Sequence, residues 1–189
     1  YRIGEERVRK LMKLAGIQPV SEKKFRVRTT NSNHSFPISA NLIKRNFQTM
    51  RPNQVWVSDI TYIRTRRGWA YLCVILDLYS RRIVGWSVQP HMKATLVTES
   101  IEMALAQREV KPWSLTFHSD RGSQYASRKV RSRLREHKIA SSMSAKGDCF
   151  DNAVAESVFG TIKTERIYTR EYETLSEVKQ DLFRYIEGF

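Results

Sequence analysis

Cysteine is nearly absent from this sequence: Cys73 and Cys149 are the only two in 189 residues, too few for a disulfide framework or a structural zinc site. The four histidines are scattered, without the paired spacing that zinc uses. Both thiols are expected to be reduced. No apolar run approaches the ~20 residues of a membrane span, and the first residues carry no apolar stretch of a signal peptide. These absences predict a soluble protein of the cytoplasm with no membrane partner. Glycine is sparse, with eight residues, and neither a GxxxxGK loop nor a GxGxxG string occurs. That argues against P-loop nucleotide hydrolysis and against a dinucleotide cofactor. Acids are scarce too: 19 Asp and Glu against 33 Lys and Arg leave a formal net charge of +14. An excess of that size favours polyanions as partners.

What is present can still form a core. With 41% hydrophobic and 11% aromatic residues, the chain is no disordered basic tail but a domain of ordinary size with 40 to 50 residues beyond it. A start at Tyr1 and a stop at Phe189 inside a helical pattern read as a fragment of something longer. The charge divides unevenly, with 11 Lys or Arg against 3 Glu in residues 1–50, a basic arm. Within it Val8, Leu11, Met12 and Ala15 recur at helical spacing, with Gly16 as the stop. The polar stretch Arg28 to Ser39 reads as a linker, its cations against phosphate or in solvent.

From residue 51 the texture becomes that of a sheet. Val55 to Ile63, Tyr71 to Leu78 and Arg82 to Val88 are rich in β-branched and aromatic residues, and their short connections predict an antiparallel meander. Helix and strand then alternate: a helix over Leu96 to Gln107, a strand over Leu115 to Phe117, a helix over Ala126 to His137 and a strand over Ile139 to Met143. Helices over Asn152 to Arg166 and Leu175 to Glu187 complete the chain. This is an α/β order, a mixed five-stranded sheet flanked by helices.

Three acids stand out within it. Asp59 interrupts a β run, where Asp has poor propensity and is costly to bury. Asp120 follows directly on a short strand, where open α/β sheets place ligand groups. Glu156 shares a helical stripe with Asn152 and Lys163. Taken singly each has a structural reading: a strand-edge Asp, a turn former and a surface Glu. Three carboxylates brought together would repel one another unless a hard cation such as Mg²⁺ joined them, and two such ions can promote in-line displacement at phosphorus.

The surrounding strings are distinctive. They are Val57-Ser58-Asp59-Ile60-Thr61-Tyr62, His118-Ser119-Asp120-Arg121-Gly122-Ser123-Gln124-Tyr125 and Asp151-Asn152-Ala153-Val154-Ala155-Glu156-Ser157, with 35 residues between Asp120 and Glu156. Over residues 50–189 the chain resembles the catalytic core of bacterial insertion-sequence transposases of the DDE class, whose core is similar to retroviral integrase. The resemblance implies a ribonuclease-H-like fold, with residues 1–50 as the end of a helix-turn-helix region and 51–189 as the catalytic core. It implies a metal-dependent polynucleotidyl transferase that nicks transposon ends and joins the freed 3′-hydroxyl to target. Asp59, Asp120 and Glu156 would be both the catalytic residues and the ligands of two Mg²⁺ ions, with Mn²⁺ as substitute. The implied partners are double-stranded DNA, at transposon ends and target, and further copies of the chain in a homo-oligomer. The implied location is the nucleoid. Lys163 matches a basic residue placed near the DNA end, and Asn152, Arg121, Arg128, Lys129 and Arg131 are the other expected DNA contacts.

Other readings stay open at this stage: a ribonuclease-H-type nuclease that uses only water, or a non-catalytic DNA-binding module of the same fold. Asp77 reads as a turn former and Asp151 as a helix N-cap; with Asp148 they stay outside the triad. His118 is either a structural histidine or a partner of Asp120. Trp56, Trp69, Trp86 and Trp113 are expected to pack in the core.

Overall fold

Residues 55–65 form a strand whose apolar and polar side chains alternate only loosely, because both of its faces are covered. The computed structural model describes residues 4–17, 34–44, 46–145 and 153–188, with 153–156 described by backbone alone. After helix α1 (Glu5–Leu14) come β1 (Val55–Thr65), β2 (Gly68–Asp77), β3 (Ile83–Gln89) and α2 (Ala94–Gln107). Then follow β4 (Thr116–Ser119), α3 (Ser123–Ala126), α4 (Arg128–Glu136), β5 (Ala140–Met143), α5 (Ala153–Ile162) and α6 (Leu175–Glu187). The strands lie in the order β3-β2-β1-β4-β5. β1 to β3 are antiparallel, while β4 and β5 run parallel to β1. The expected mixed sheet of a three-strand meander and two crossover strands is thus present. Arg66 and Arg67 make the tight turn between β1 and β2, and Gly68 accepts its φ of +128° there because it has no Cβ.

Helices cover both faces. On one, Trp56, Ile60, Cys73 and Ile75 meet Leu96 and Ile101 of α2, Tyr125 of α3 and Val130 and Leu134 of α4. On the other, Ile63, Leu72 and Val74 meet Phe159 and Ile162 of α5 and Val178 and Leu182 of α6. Gly85 allows α2 to lie directly on β3: a Cβ there would stand 2.2 Å from the Ser100 carbonyl oxygen.

Several boundaries differ from the sequence expectation, each for a local reason. The helix expected over 126–137 breaks at Ser127, whose extended backbone separates α3 from α4 and whose Oγ accepts the Val130 N–H at 3.3 Å as an N-cap. The helix expected to run on to Arg166 changes at Lys163 into one π-helical turn, Lys163–Ile167. Gly16, at φ +67°, ends the first helical segment as expected.

The polar stretch expected to be linker is partly built into the fold. His34 Nε2 donates to the Arg121 carbonyl at 2.9 Å, while its Nδ1 accepts the Phe36 N–H. Ser39 Oγ donates to Ser141 Oγ, the Leu42 N–H donates to Ser142 Oγ, and Ile43 is buried against Val57, Leu76 and Leu78. Residues 18–33, which include the rest of that stretch, lie outside the described residues, as do Asp148, Asp151 and Asn152.

Of the tryptophans, Trp56 is fully buried and Trp86 is half-buried, but Trp69 is 41% and Trp113 68% exposed. For these two the expectation of core packing is corrected: the first stands at the tip of the β1–β2 hairpin and the second precedes β4 in a left-handed turn at φ +59°. Asp77 is a turn former, fully buried, accepting the N–H groups of Asn53 and Ser80 and the Ser80 hydroxyl.

Candidate active site

Asp59 lies within β1, and Asp120 follows the last residue of β4. The strands are parallel neighbours, with Trp56 opposite Phe117 and Val57 opposite His118. Two residues beyond that last pair, both carboxylates reach the same level on strands ~4.8 Å apart. Asp59 is opposite Val74 on β2, and Val74 packs against Phe159 and Ile162 of α5. Asp59 therefore belongs to the face that α5 covers. Glu156 is on α5, three residues before Phe159; its side chain is outside the described residues.

An Asp is tolerated in β1 because β4 stops at Ser119, leaving the rest of β1 without a β4 partner on that side. Asp59 is half-buried at this edge, and its Oδ1 accepts the Ile60 N–H at 2.7 Å. Asp120 Oδ1 accepts the Gly122 N–H at 2.8 Å. A Cβ on Gly122 would stand 2.9 Å from that same oxygen, so the missing side chain leaves the carboxylate its place.

Behind the carboxylates is a buried polar cluster that the sequence did not signal. The Tyr125 hydroxyl is hydrogen-bonded to Ser58 Oγ at 2.9 Å and lies 3.7 Å from the Cys73 sulfur. Burial pushes the phenol well above its ordinary pKa, with smaller contributions in the same direction from Cys73, Asp59 and Asp120. Burial likewise raises the Cys73 thiol. Tyr125 is thus a neutral hydroxyl, and it ties α3, directly after Asp120, to the strand residue next to Asp59.

Lys163 opens the π turn seven residues after Glu156, on the same helical stripe. Its Nζ lies 5.5 Å from the centre of the Tyr62 ring, and Tyr62 is three residues beyond Asp59 on β1. Arg121 is half-buried, its Nε donating to the Ser144 carbonyl at 2.7 Å. The structure does not bring Arg128, Lys129 and Arg131 to the face that carries Asp59. They stand on α4, whose Val130 and Leu134 pack on the opposite face. Arg128 and Lys129 are exposed and Arg131 half-buried. Arg133 of the same helix is ion-paired to Glu102 and Glu136. His118 is fully buried with Nδ1 2.8 Å from Ser142 Oγ, a structural role.

Among the described residues no group of three His, Cys, Asp or Glu converges on a metal position. The pair Asp59 and Asp120 nonetheless suits Mg²⁺ or Mn²⁺: its donors are hard oxygens, and such ions commonly take one or two carboxylates and fill the remaining positions with water and phosphate oxygens. A groove of 710 Å³ between α5, α6 and the β2–β3 turn is lined by Arg81, Arg82, Arg108 and Tyr185 among others, and by neither carboxylate. Among the described residues the carboxylates stand, half-buried, at the edge of β1 that β4 leaves unpaired.

Two family models, both described as integrase core domain, match residues 49–149 and 156–189. The chain belongs to the integrase core domain family. Among curated relatives of this integrase core, transposase InsF for insertion sequence IS3fB of Escherichia coli K12 is 40% identical over 93% of the chain and 60% of the relative. Transposase InsF for IS3A of the same strain is 43% identical over 82% of the chain and 53% of the relative. The chain thus spans just over half the length of these relatives. An uncharacterized 31 kDa protein of insertion element IS600 from Shigella sonnei is 38% identical over 99% of the chain and 68% of that protein. Among solved structures, the HTLV-2 integrase catalytic core with magnesium, in its trimeric form, superposes at a TM-score of 0.57 with 16% identity, covering 72% of this chain and 87% of that one. A chain of the simian T-cell lymphotropic virus intasome in complex with PP2A regulatory subunit B56 gamma gives 0.57 with 20% identity, over 72% of this chain and 46% of that one. The fold is ribonuclease-H-like. Among the described residues no helix is long and apolar enough to cross a membrane.

Proposed function

We propose that this chain is the catalytic core of an insertion-sequence transposase that nicks DNA at transposon ends and transfers the freed 3′-hydroxyl to target. Asp59, Asp120 and Glu156 are its catalytic and metal-binding carboxylates. The observation that carries this reading is the levelling of Asp59 with Asp120 at an open sheet edge beside the helix that bears Glu156. Two Mg²⁺ ions, replaceable by Mn²⁺, would supply charge neutralisation and activation of the attacking oxygen.

The chain's own residues position the substrate. Lys163, seven residues after Glu156 and over the Tyr62 ring of β1, offers a cation to a phosphate near the scissile bond, and Arg121 offers its guanidinium beyond the Ser144 contact. Arg128, Lys129 and Arg131 track flanking duplex on the other side of the sheet, and Asn152 joins Lys163 at the DNA end. Residues 1–50 form the arm that holds DNA and 51–189 the core. The working form is a homo-oligomer on paired ends of double-stranded DNA, in a bacterial cytoplasm.

A pre-nicked duplex with a free 3′-hydroxyl tests this directly. With Mg²⁺ the chain should give joined product, and Asp120→Asn should give none while binding the duplex as well as wild type. Hydrolysis without any joining would replace transfer with nuclease chemistry. Equal joining by the variant would remove Asp120 from the site.

A further inference from the structure

The peptide unit between Arg121 and Gly122 is held at both ends. Its N–H, on Gly122, donates to Asp120 Oδ1 at 2.8 Å, and its carbonyl, on Arg121, accepts from His34 Nε2 at 2.9 Å. The two groups point in opposite directions from one planar trans unit, so the donor that fixes the carbonyl also fixes the N–H that meets the carboxylate. The backbone alone does not choose this orientation. Gly122 stands at φ −60°, but glycine takes positive φ about as readily, so the plane can turn over at little cost unless its carbonyl is held. The Arg121 side chain, donating to the Ser144 carbonyl at 2.7 Å, anchors its residue without gripping that peptide group.

His34 is 87 residues from Arg121 in the chain and is set in place by its own neighbours. Its Nδ1 accepts the Phe36 N–H at 3.2 Å, which leaves the proton on Nε2 for the Arg121 carbonyl. The segment that follows is fastened to β5 and the sheet: Ser39 Oγ donates to Ser141 Oγ, the Leu42 N–H donates to Ser142 Oγ, and Ile43 is buried against Val57 and Leu76. The imidazole is thus presented from a fixed base. Imidazole, peptide and carboxylate form one line of hydrogen bonds, in which each polarises the next.

We infer that His34 is a positioning residue for the metal site, holding the Asp120 carboxylate in place through the Arg121–Gly122 peptide. This rests on the proposed role of Asp120 as a metal ligand, and it extends the site to a residue of the N-terminal segment, outside the core over 51–189. Removing a group that orients a metal ligand from behind weakens metal binding or activity by roughly 10- to 100-fold.

The test titrates the chain with Mn²⁺ by calorimetry, beside a melting curve and the Kd for a blunt duplex in EDTA. His34→Ala should weaken Mn²⁺ binding about 10-fold and raise the Mg²⁺ concentration that half-saturates joining by a similar factor. Duplex affinity should be unchanged and melting within a few degrees of wild type. His34→Gln, whose amide N–H can reach the position of Nε2, should restore most of the Mn²⁺ affinity. Ser39→Ala, which removes a bond farther along the same segment, should leave it intact. Unchanged Mn²⁺ affinity in His34→Ala, or an equal loss in His34→Gln or in Ser39→Ala, would overturn the inference. Asp120→Asn is read separately. If that variant binds Mn²⁺ as wild type does, the metal-ligand reading fails, whereas a loss there with none in His34→Ala removes only the role of His34.

Discussion

Asp59 on β1 and Asp120, directly after the end of β4, each lie two residues past the paired Val57 and His118 of these parallel strands. Sixty residues of intervening chain return to place one carboxylate beside the other. Each accepts a backbone N–H through its Oδ1, from Ile60 and from Gly122. Carboxylate oxygens are the donors that a hard cation takes.

Replacing either carboxylate by its amide should remove strand transfer and spare the fold. Asn at position 120 still accepts the Gly122 N–H, so thermal stability should be near wild type while joining falls at least about 1,000-fold. Mg²⁺-dependent joining of a pre-nicked duplex and a melting curve read the two quantities. EDTA should do the same to wild type, and added Mg²⁺ or Mn²⁺ should restore it.

Gly122→Ala should damage activity more than stability. The backbone there is in an ordinary extended conformation, at φ −60°, so alanine costs little strain. Its Cβ, however, would stand 2.9 Å from Asp120 Oδ1 and 3.0 Å from Gln124 Oε1 and must displace one of them. A fall in joining of about 10-fold or more with a melting temperature within a few degrees is expected; unchanged joining would show that Asp120 has room to spare.

Tyr125→Phe should cost about 1–2 kcal/mol in urea unfolding, because Ser58 loses its 2.9 Å partner in a fully buried setting. It should also change the alkaline limb. Burial raises the folded phenol above its unfolded pKa of about 10. The contribution of this group is therefore fully present below pH ~10 and is lost as pH rises from there toward the folded value. The variant should lose less stability than wild type between neutral pH and pH 11, which paired urea titrations can measure.

Gly85→Ala should destabilise strongly without touching the chemistry. A Cβ 2.2 Å from the Ser100 carbonyl and 2.8 Å from Ala104 Cβ forces α2 away from β3. Overpacking of this kind costs ~1–3 kcal/mol or more, and a shift of the urea midpoint checks it.

Much of this was legible locally. Hydrophobic periodicity and turn residues place all five strands within about three residues, and the last helix falls over Leu175–Glu187 as expected. Asp59 and Asp120 are visible because acids are unfavourable where they occur. The Ser127 break and the π turn at Lys163 were not legible, since helical periodicity runs through both. The same holds for residues 34–44, a polar segment whose place depends on partners some 90 residues away, Arg121 among them.

The sequence by itself determined the composition of the site: its acids, its basic surroundings, and the α/β order that brings a short strand back beside a long one. Tertiary structure decided what those residues face. The β1–β4 register levels the carboxylates, and the early end of β4 opens the edge where they stand. Packing of α4 on the face of the sheet opposite Asp59 carries its cations away from that carboxylate, and the hairpin's reach leaves Trp69 outside the core. Each of these depends on contacts between residues distant in the chain, and periodicity along one segment carries no record of what packs against it.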